Sequence, residues 1–158
     1  MRYDLSKIRK NSEVIKTYVS AKNLATEIFA KRRAEYILQQ SDVKELKKYA
    51  EKVVVIVFTA EWCPDCHRNV PVLDLISDAT GLETRAFGHI LREAKSTTRK
   101  WAIPPSPKEV EEFNVIKIPY IVVLTQEGEV LGEIVENPPP GKTLEQTLLE
   151  IVSKYNQV

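Results

Sequence analysis

Cysteine and long apolar runs are both scarce in this sequence. The chain of 158 residues contains two cysteines, too few for the disulfide-stapled scaffolds of small secreted proteins. The longest apolar run, Val53 to Phe58, is about a third of the roughly 20 residues that a membrane-spanning helix needs. Residues 1–7 carry charges where an export signal would have its apolar centre. We therefore expect a cytoplasmic protein with reduced cysteines and no membrane partner.

Charge is nearly balanced over the whole chain but unevenly distributed along it. The hydrophobic fraction of 43% and the charged fraction of 28% exclude an intrinsically disordered protein. Residues 1–52 hold 13 basic and 7 acidic side chains, whereas residues 53–158 hold 10 and 15. The densest basic run, 31–33, has no aromatic residues among it for stacking on bases. We expect a basic helical segment lying on an acidic body, and no nucleic-acid partner.

Glycine and proline are absent from residues 1–52, which favours helices there. Apolar residues recur in this segment mostly at intervals of three or four: Val14, Tyr18, Leu24, Ile28, Tyr36 and Ile37. A break is predicted near Ser41, where Asp42 and Glu45 have the spacing of a capping box that would open a short helix. We expect no strand in this segment, and we predict an all-helical extension packed on a second domain of residues 53–158.

The pattern changes at Val53. The run Val53 to Phe58 is β-branched and apolar without alternation, as in a strand buried on both faces of a parallel sheet. A turn over 61–66 follows, and then an amphipathic helix that Gly81 can end in a left-handed conformation. Leu82 to Phe87 is a second strand, so residues 53–87 are predicted to form a right-handed βαβ unit.

The remainder of the chain adds helices and an antiparallel hairpin. Residues 89–101 are compatible with a helix, and Ser106-Pro107-Lys108-Glu109 combines a cap, a first-turn proline and a capping glutamate for a short helix ending at Asn114. Strands over 121–124 and 129–134 flank a turn containing Gly128, and an amphipathic helix closes the chain. The predicted order from residue 53 is β-α-β-α-α-β-β-α.

Cys63 and Cys66 form a dithiol at the predicted junction between strand and helix. A disulfide across two intervening residues closes a very short ring, which is readily made and broken. A cysteine at a helix N-terminus faces unpaired backbone N–H groups and the positive end of the helix dipole, so Cys63 should favour the thiolate. Pro64 suits the first helical turn. Asp65 places a negative charge near that sulfur and should temper the fall in its pKa.

The sequence contains two histidines. His67 follows Cys63 by four residues on the same helical face, where it either acts on the thiolate or simply faces solvent. His89 is expected to be structural or on the surface, and Trp101 to pack without a chemical role.

The dithiol also fits two metal-containing alternatives. Cys63 to His67 matches the attachment motif of a c-type haem, but Met1 is the only methionine that could serve as an axial ligand. A zinc ion could recruit both cysteines with one or both of His67 and His89, although a structural zinc site normally has two ligand pairs and only one is evident. Redox use of the dithiol is favoured, with no metal and no cofactor.

A set of residues around the dithiol carries a family resemblance. These residues are Ala60-Glu61-Trp62-Cys63-Pro64-Asp65-Cys66 directly after the run 53–58, Pro71 five residues beyond the second cysteine, and Ile118-Pro119 before the hairpin. With them the sequence resembles the thioredoxin family, and in particular thioredoxin-related proteins with a Trp-Cys-Pro-Asp-Cys motif. The resemblance implies an α/β thioredoxin-like fold over 53–158, with a central mixed β-sheet flanked by helices, behind the helical extension.

The resemblance also implies roles for individual residues. Cys63 would attack a substrate disulfide, and Cys66 would resolve the mixed disulfide that forms. Pro119 would follow a cis peptide bond, which only about 5–6% of X-Pro bonds adopt, and Ile118 would expose its backbone to an incoming peptide. The remaining residues of the substrate-binding set are Trp62, Pro64 and Asp65. Pro71 would kink the active-site helix.

Two positions depart from the family pattern. Thioredoxins have a buried aspartate six residues before the first cysteine, where this chain has Val57, and an aromatic residue four before it, where this chain has Thr59. Loss of the aspartate removes the usual proton acceptor for the resolving thiol, so His67, Glu61 or water would have to replace it. Tyr120 is larger than the threonine that usually follows the cis proline, and would narrow the substrate groove or stack in it.

The resulting interpretation is an enzyme, a thiol–disulfide oxidoreductase that reduces a protein or small-molecule disulfide and is recycled by an unidentified reductase. One alternative is a glutathione-dependent enzyme of the glutaredoxin type. Another is a non-catalytic binding module that uses the same fold, an alternative that the valine at position 57 supports.

Overall fold

The computed structural model describes residues 2–91 and 106–157. The helices in these ranges are α1 (Leu5–Asn11), α2 (Ile15–Ser20), α3 (Thr26–Glu35), α4 (Gln40–Leu46), α5 (Pro64–Thr80), α6 (Glu109–Glu112) and α7 (Leu144–Val152), with short 3₁₀ turns at Lys47–Tyr49 and Ser153–Gln157. The strands are β1 (Glu13–Val14), β2 (Val53–Phe58), β3 (Glu83–Phe87), β4 (Tyr120–Thr125) and β5 (Val130–Val135). They form one sheet in the order β1-β3-β2-β4-β5.

Strand β2 lies at the centre of this sheet. Every one of its residues is buried, which explains why the run lacks the alternation of a half-exposed strand. It pairs in parallel with β3 and antiparallel with β4, so the sheet is mixed and the predicted α/β fold is confirmed. At the end of β2, Phe58 is opposite Phe87 on one side and Tyr120 on the other. The chain leaves β2 at this end and enters the dithiol turn.

Helix α5 connects the two parallel strands. It begins directly after Cys63, has Pro64 in its first turn, and ends where Gly81 adopts a φ of 82°, as predicted from the left-handed freedom of glycine. Pro71 is buried inside the helix rather than at the start of a separate one. Among the described residues, none of the helices is long and apolar enough to cross a membrane.

The expectation that residues 1–52 contain no strand was wrong. Glu13 and Val14 form β1, which pairs antiparallel with β3 at one edge of the sheet. Arg85 of β3 donates hydrogen bonds to the carbonyls of Arg9 and Ser12, both at 2.8 Å. These bonds hold the end of α1 against β3, and a two-residue strand formed in this way has no periodic pattern of its own.

The N-terminal segment contributes to the same hydrophobic core as the sheet. Ile15, Tyr18, Phe29 and Leu46 are all at least 99% buried and belong to one cluster with the residues of β2. Helices α2 and α3 pack against α5. The division of the chain into two units at residue 53 stays a prediction.

Two predicted helix starts were wrong because tertiary contacts replace the local caps. Helix α4 begins at Gln40, before the Asp42–Glu45 box, and the backbone N–H of Gln39 is bound by the buried carboxylate of Glu145 at 2.9 Å. Ser106 does not cap α6, whose capping residue is Lys108. The Ser106 hydroxyl instead accepts a hydrogen bond from the backbone N–H of Leu91 at 2.8 Å.

The hairpin and the last helix were predicted correctly to within two residues. Gly128 turns the hairpin with a φ of 88°. The helix predicted over residues 89–101 lies outside the described residues except for its first three positions, and so does Trp101.

Candidate active site

Cys63 and Cys66 come together at the N-terminus of α5. Cys63 is the residue that caps the helix, and its Sγ accepts a hydrogen bond from the backbone N–H of Cys66 at 3.3 Å. The same Sγ lies 3.7 Å from the carbonyl oxygen of Ile118. Cys63 is 5% exposed and Cys66 is fully buried. Both are free thiols, and only Cys63 keeps any exposed surface.

The pKa values of the two thiols are shifted in opposite directions. A hydrogen bond from the Cys66 thiol, helped by the backbone N–H groups of Cys66 and Asp65, lowers the pKa of Cys63 to about 7, against the opposing effects of burial and of the Asp65 charge. Burial, followed by the interaction with Cys63, raises the pKa of Cys66 well above its ordinary value. Near neutral pH Cys63 is therefore substantially thiolate, while Cys66 keeps its proton.

The loop before β4 forms one wall beside the dithiol. The peptide bond between Ile118 and Pro119 is cis, as the resemblance implied. This places the Ile118 carbonyl at Cys63, while the Pro119 carbonyl accepts a hydrogen bond from the backbone N–H of Glu136 at 2.8 Å. Tyr120, at the start of β4, donates its hydroxyl proton to Glu133 of β5. Its hydroxyl is thus held on the sheet.

Trp62 precedes the dithiol and is partly open to solvent. Its indole Nε1 donates a hydrogen bond to the carbonyl oxygen of Ile90 at 3.0 Å, and 41% of the residue remains exposed. The hydrogen bond fixes the position of the ring next to Cys63 while its exposed part stays accessible to a visiting molecule.

Glu61 is the centre of a polar cluster that the sequence did not predict. Its carboxylate accepts a hydrogen bond from the hydroxyl of Tyr18 at 2.7 Å and another from Nδ1 of His89 at 2.7 Å. Burial of Glu61 alone would raise its pKa, but these hydrogen bonds outweigh that effect, and the pKa is lowered. Glu61 is therefore a carboxylate at neutral pH, fixed from two sides.

Tyr18 reaches this cluster from the N-terminal segment. The residue is fully buried, and its ring lies against Gly88, where an added Cβ would stand 2.3 Å from the Tyr18 Cε1. Gly88 is therefore the one local signal for this contact, since only glycine leaves room for the ring at that position. Nothing in the sequence indicates which aromatic residue occupies the space.

Among the described residues, no hydrogen bond joins His67 to the sulfur of Cys63 or Cys66. Its Nε2 lies 2.6 Å from the carbonyl oxygen of Glu61, and a carbonyl can only accept, so Nε2 carries the proton. The other side of the ring packs edge-on against Phe29 with centroids 6.0 Å apart. His67 is therefore a half-buried residue that holds the Glu61 backbone, rather than a solvent-facing one.

The two positions that depart from the family pattern, Val57 and Thr59, are both buried. Val57 is buried between Ala86 and Ile121 on the neighbouring strands. Thr59, two residues further on, is also fully buried. Its Oγ1 has no hydrogen bond of ordinary geometry within the described part of the chain, yet it lies close enough to Cys66 to lower the pKa of that thiol.

The first turn of α5 is held in place by charged and amide side chains. The guanidinium of Arg68 lies 2.6 Å from the carboxylate of Asp65 and 3.0 Å from Oδ1 of Asn137. Asn69 is buried and donates to the backbone carbonyls of Asp65 and Glu136, both at 2.9 Å. These bonds tie the turn that carries the dithiol to the loop after β5.

Metal binding was one alternative for the dithiol. Over residues 2–91 and 106–157, no group of three or more His, Cys, Asp and Glu side chains is placed to hold a metal ion. The two histidines considered as zinc ligands are instead hydrogen-bonded to Glu61, His67 to its backbone carbonyl and His89 to its carboxylate.

Comparisons with known proteins show what the whole chain is similar to. Two crystal structures resemble the whole chain at 18% identity each: a protein of unknown function from Pseudomonas aeruginosa, with a TM-score of 0.69 and 98% of both chains covered, and an HIV epitope-scaffold, with a TM-score of 0.70 and 99% of both chains covered. A thioredoxin from Fasciola hepatica is 16% identical, covering 70% of this chain and 88% of its own, with a TM-score of 0.44.

The whole-chain likenesses establish a shared fold that includes the N-terminal segment. A search of curated proteins found no match. The sequence profile of the family described as thioredoxin matches residues 11–149, which spans the dithiol, the cis proline and most of the N-terminal helices. The chain therefore belongs to the thioredoxin family, whose fold and neighbouring cysteines are those of thiol–disulfide oxidoreductases.

Proposed function

We propose that this protein reduces disulfide bonds in protein or small-molecule substrates through Cys63 and Cys66. The observation that carries the proposal is that the two thiols have different protonation states near neutral pH. Cys63, at the helix N-terminus, has a pKa of about 7, near the value at which an attacking thiol works best at neutral pH. Cys66 is fully buried and holds its proton, so the second thiol does not compete for the first attack.

The reaction follows from these two states. The Cys63 thiolate attacks one sulfur of the substrate disulfide, a mixed disulfide forms, and the other substrate sulfur leaves as a thiolate. Cys66 then loses its proton and attacks the Cys63 sulfur. The second substrate thiolate leaves, and a disulfide between Cys63 and Cys66 remains. Two electrons have passed from the dithiol to the substrate, and a separate reductase must return them.

The substrate would lie across the dithiol between Trp62 and the cis proline. The exposed part of Trp62 forms one side of this surface, and the Ile118–Pro119 segment next to Cys63 forms the other. Backbone groups at Ile118 would pair with an extended peptide. Pro64 and Asp65 would complete the rim of this substrate-binding surface. We also propose that the enzyme works in a reducing compartment such as the cytoplasm.

The reactivity of Cys63 against pH tests this proposal. We expect iodoacetamide to capture Cys63 in the reduced protein with a midpoint near pH 7, because the thiolate is the reactive species. Reduction of the disulfides of insulin should follow the same pH dependence and should be lost in Cys63→Ser. The Cys66→Ser variant should instead accumulate a stable mixed disulfide with the substrate.

Two results would favour the alternatives. Turnover that requires glutathione in a coupled assay would indicate an enzyme of the glutaredoxin type. A wild-type protein that reduces no disulfide, and whose thiols react at neutral pH no faster than free cysteine, would indicate a binding module with the same fold.

A further inference from the structure

A groove beside the dithiol lies between α3 and the first turns of α5, and the role inferred for it rests on the function proposed above. Pro64 and His67 belong to its α5 wall, and Pro64 directly follows Cys63 in the chain. The groove has a volume of about 450 Å³, within the range of ~300–1,000 Å³ found for natural ligand sites. Because Pro64 belongs to both, the groove continues the proposed substrate-binding surface toward the N-terminal segment.

The α3 wall of this groove is basic. The densest basic run of the sequence lies on this helix, and its three side chains have different surroundings. Arg33 pairs with Asp74 and Asp78 of α5, at 2.8 and 2.6 Å. Lys31 and Arg32 line the groove instead. The N-terminal segment therefore supplies two cations to the surface beside the dithiol.

The positive charge of the groove is only partly balanced. Lys31 lies 3.9 Å from the carboxylate of Glu35, and Arg68 of the α5 wall lies 2.6 Å from that of Asp65. Over residues 2–91 and 106–157, no carboxylate lies within ion-pair distance of Arg32. One positive charge of the groove is therefore left for a ligand to balance.

The guanidinium of Arg32 is held in place by two contacts. Its Nε donates a hydrogen bond to the backbone carbonyl of Arg68 at 2.9 Å, and its Cζ lies 5.0 Å from the centre of the Tyr36 ring. These contacts leave the terminal nitrogens of the guanidinium for a ligand, and such a planar fork matches the geometry of a carboxylate. Because the side chain is already ordered, less conformational entropy is lost when a carboxylate binds.

We propose that this groove binds an acidic segment of a protein substrate, with a carboxylate on Arg32, while the substrate disulfide lies at Cys63. The net charge of the groove favours acidic segments over neutral or basic ones. Ile28, which is 42% exposed in the same groove, provides an apolar contact for the rest of the segment. The basic run has no aromatic residues among it for stacking on bases, so the partner is a protein rather than a nucleic acid.

Two peptide disulfides test this inference. Each is the oxidised dimer of a short peptide with one central cysteine, which is flanked on both sides by glutamates in the first peptide and by glutamines in the second. Reduced protein is mixed with an excess of either dimer, and the released peptide is measured by chromatography after an acid quench. The readout is the ratio of the rate constants for the acidic and the neutral dimer, divided by the same ratio for 2-mercaptoethanol, an uncharged thiol. A loss of folded protein lowers both rate constants and cancels in this ratio.

The wild-type protein should reduce the acidic dimer about fivefold faster at low salt, and the preference should shrink as salt screens the charges. Arg32→Gln should abolish the preference, and Arg32→Glu should reverse it. Arg2→Gln is the matched control, because it removes the same charge from the same segment at a different place, where Arg2 pairs with Glu129 at 3.0 Å. This control should keep the wild-type ratio.

The other outcomes separate the groove from the function on which it rests. Equal rates for the two dimers in the wild-type protein would overturn the inference and leave the proposed function intact. An equal fall of the ratio in Arg32→Gln and Arg2→Gln would also overturn it, since the effect would then come from net charge alone. Without a preference for the acidic dimer, binding of labelled single-stranded RNA or self-association that depends on Arg32 would assign the groove to another occupant and overturn the inference. A wild-type protein that reduces neither dimer would overturn the proposed function itself.

Discussion

At the scale of single residues, the position of Cys63 and Cys66 separates two chemically identical side chains. Both thiols belong to the same turn, but Cys63 receives backbone N–H groups at the start of α5, whereas Cys66 points into the core. Hydrogen bonds to the charged form lower the pKa of the first, and desolvation raises the pKa of the second. The difference in pKa therefore comes from the helix start at Cys63 and from the burial of Cys66.

This asymmetry predicts how the stability of the reduced protein depends on pH. An unfolded cysteine here has an ordinary pKa of 9.0. Between about pH 7 and pH 9 the unfolded chain binds more protons than the folded one, because Cys63 ionises only when folded, so the free energy of unfolding should rise with pH. Above about pH 9 the folded chain binds more protons, because Cys66 stays protonated, and the free energy of unfolding should fall.

Urea unfolding of the reduced protein across this range measures the effect. Other titrating groups also make the free energy of unfolding depend on pH, so the wild-type curve is compared with that of Cys63→Ser. The variant should lack the rise in the free energy of unfolding and retain its fall at higher pH. Parallel stability curves for the two proteins would contradict the pKa assigned to Cys63.

Asp65 opposes the ionisation of Cys63. Its negative charge raises the pKa of the thiol against the other interactions. Asp65→Asn should therefore lower that pKa further and increase the rate of iodoacetamide capture several-fold below pH 7, where the thiolate is in the minority. Asp78→Asn is a control on the same helix, since Asp78 lies near the far end of α5 and is paired with Lys16 and Arg33. An unchanged pH profile in Asp65→Asn would show that the charge at position 65 has no influence on the nucleophile.

At the scale of elements, buried polar contacts determine where several helices begin. Glu145 on α7 is fully buried and accepts hydrogen bonds from the Tyr36 hydroxyl and the Gln39 backbone N–H, at 2.7 and 2.9 Å. It thereby fixes the segment between α3 and α4 and replaces the local capping box. A single side chain on the last helix sets the geometry of the N-terminal ones.

Removal of this carboxylate should destabilise the protein substantially. Glu145→Ala leaves the Tyr36 hydroxyl and the Gln39 N–H without their partner and should reduce the free energy of unfolding by roughly 2–4 kcal/mol. Glu150→Ala removes an exposed pair with Lys142 on the same helix and should cost at most about 0.5 kcal/mol. Chemical unfolding of both variants gives the comparison. Equal effects would mean that Glu145 does not hold α4.

At the scale of the whole molecule, the N-terminal segment contributes to both the sheet and the candidate active site. It supplies the edge strand β1, eight buried side chains to the core, and Tyr18 to the polar cluster at Glu61. The family profile covers most of this segment as well as the dithiol.

A chain that begins at residue 53 should therefore not fold cooperatively. It would expose the edge of β3 and the surface of α5 that α2 and α3 cover, and an exposed strand edge promotes aggregation. Circular dichroism and urea unfolding of the shortened chain check this, with the full chain as the reference. A shortened chain that unfolds in one transition, and whose Cys63 still reacts with a midpoint near pH 7, would establish residues 1–52 as a separate domain.

The sequence by itself determined the parts of this protein that depend on local chemistry. The buried strand β2, the start of α5 at Cys63 and Pro64, its end at Gly81, and the hairpin at Gly128 each follow from neighbouring residues. The motif also identified the family, because Trp62 directly before the first cysteine and the Ile118-Pro119 pair about fifty residues later are jointly specific. These features could be predicted because their causes lie within a few positions along the chain.

Only the tertiary structure decided the contacts between distant segments. Tyr18 meets Glu61 across 43 positions of sequence, Gln39 meets Glu145 across 106, and β1 pairs with β3 through two residues. None of these contacts leaves a periodic pattern, since each depends on which surfaces the packed core brings together. The reactive thiol was therefore evident from the sequence, whereas the side chains that surround its buried partner were not.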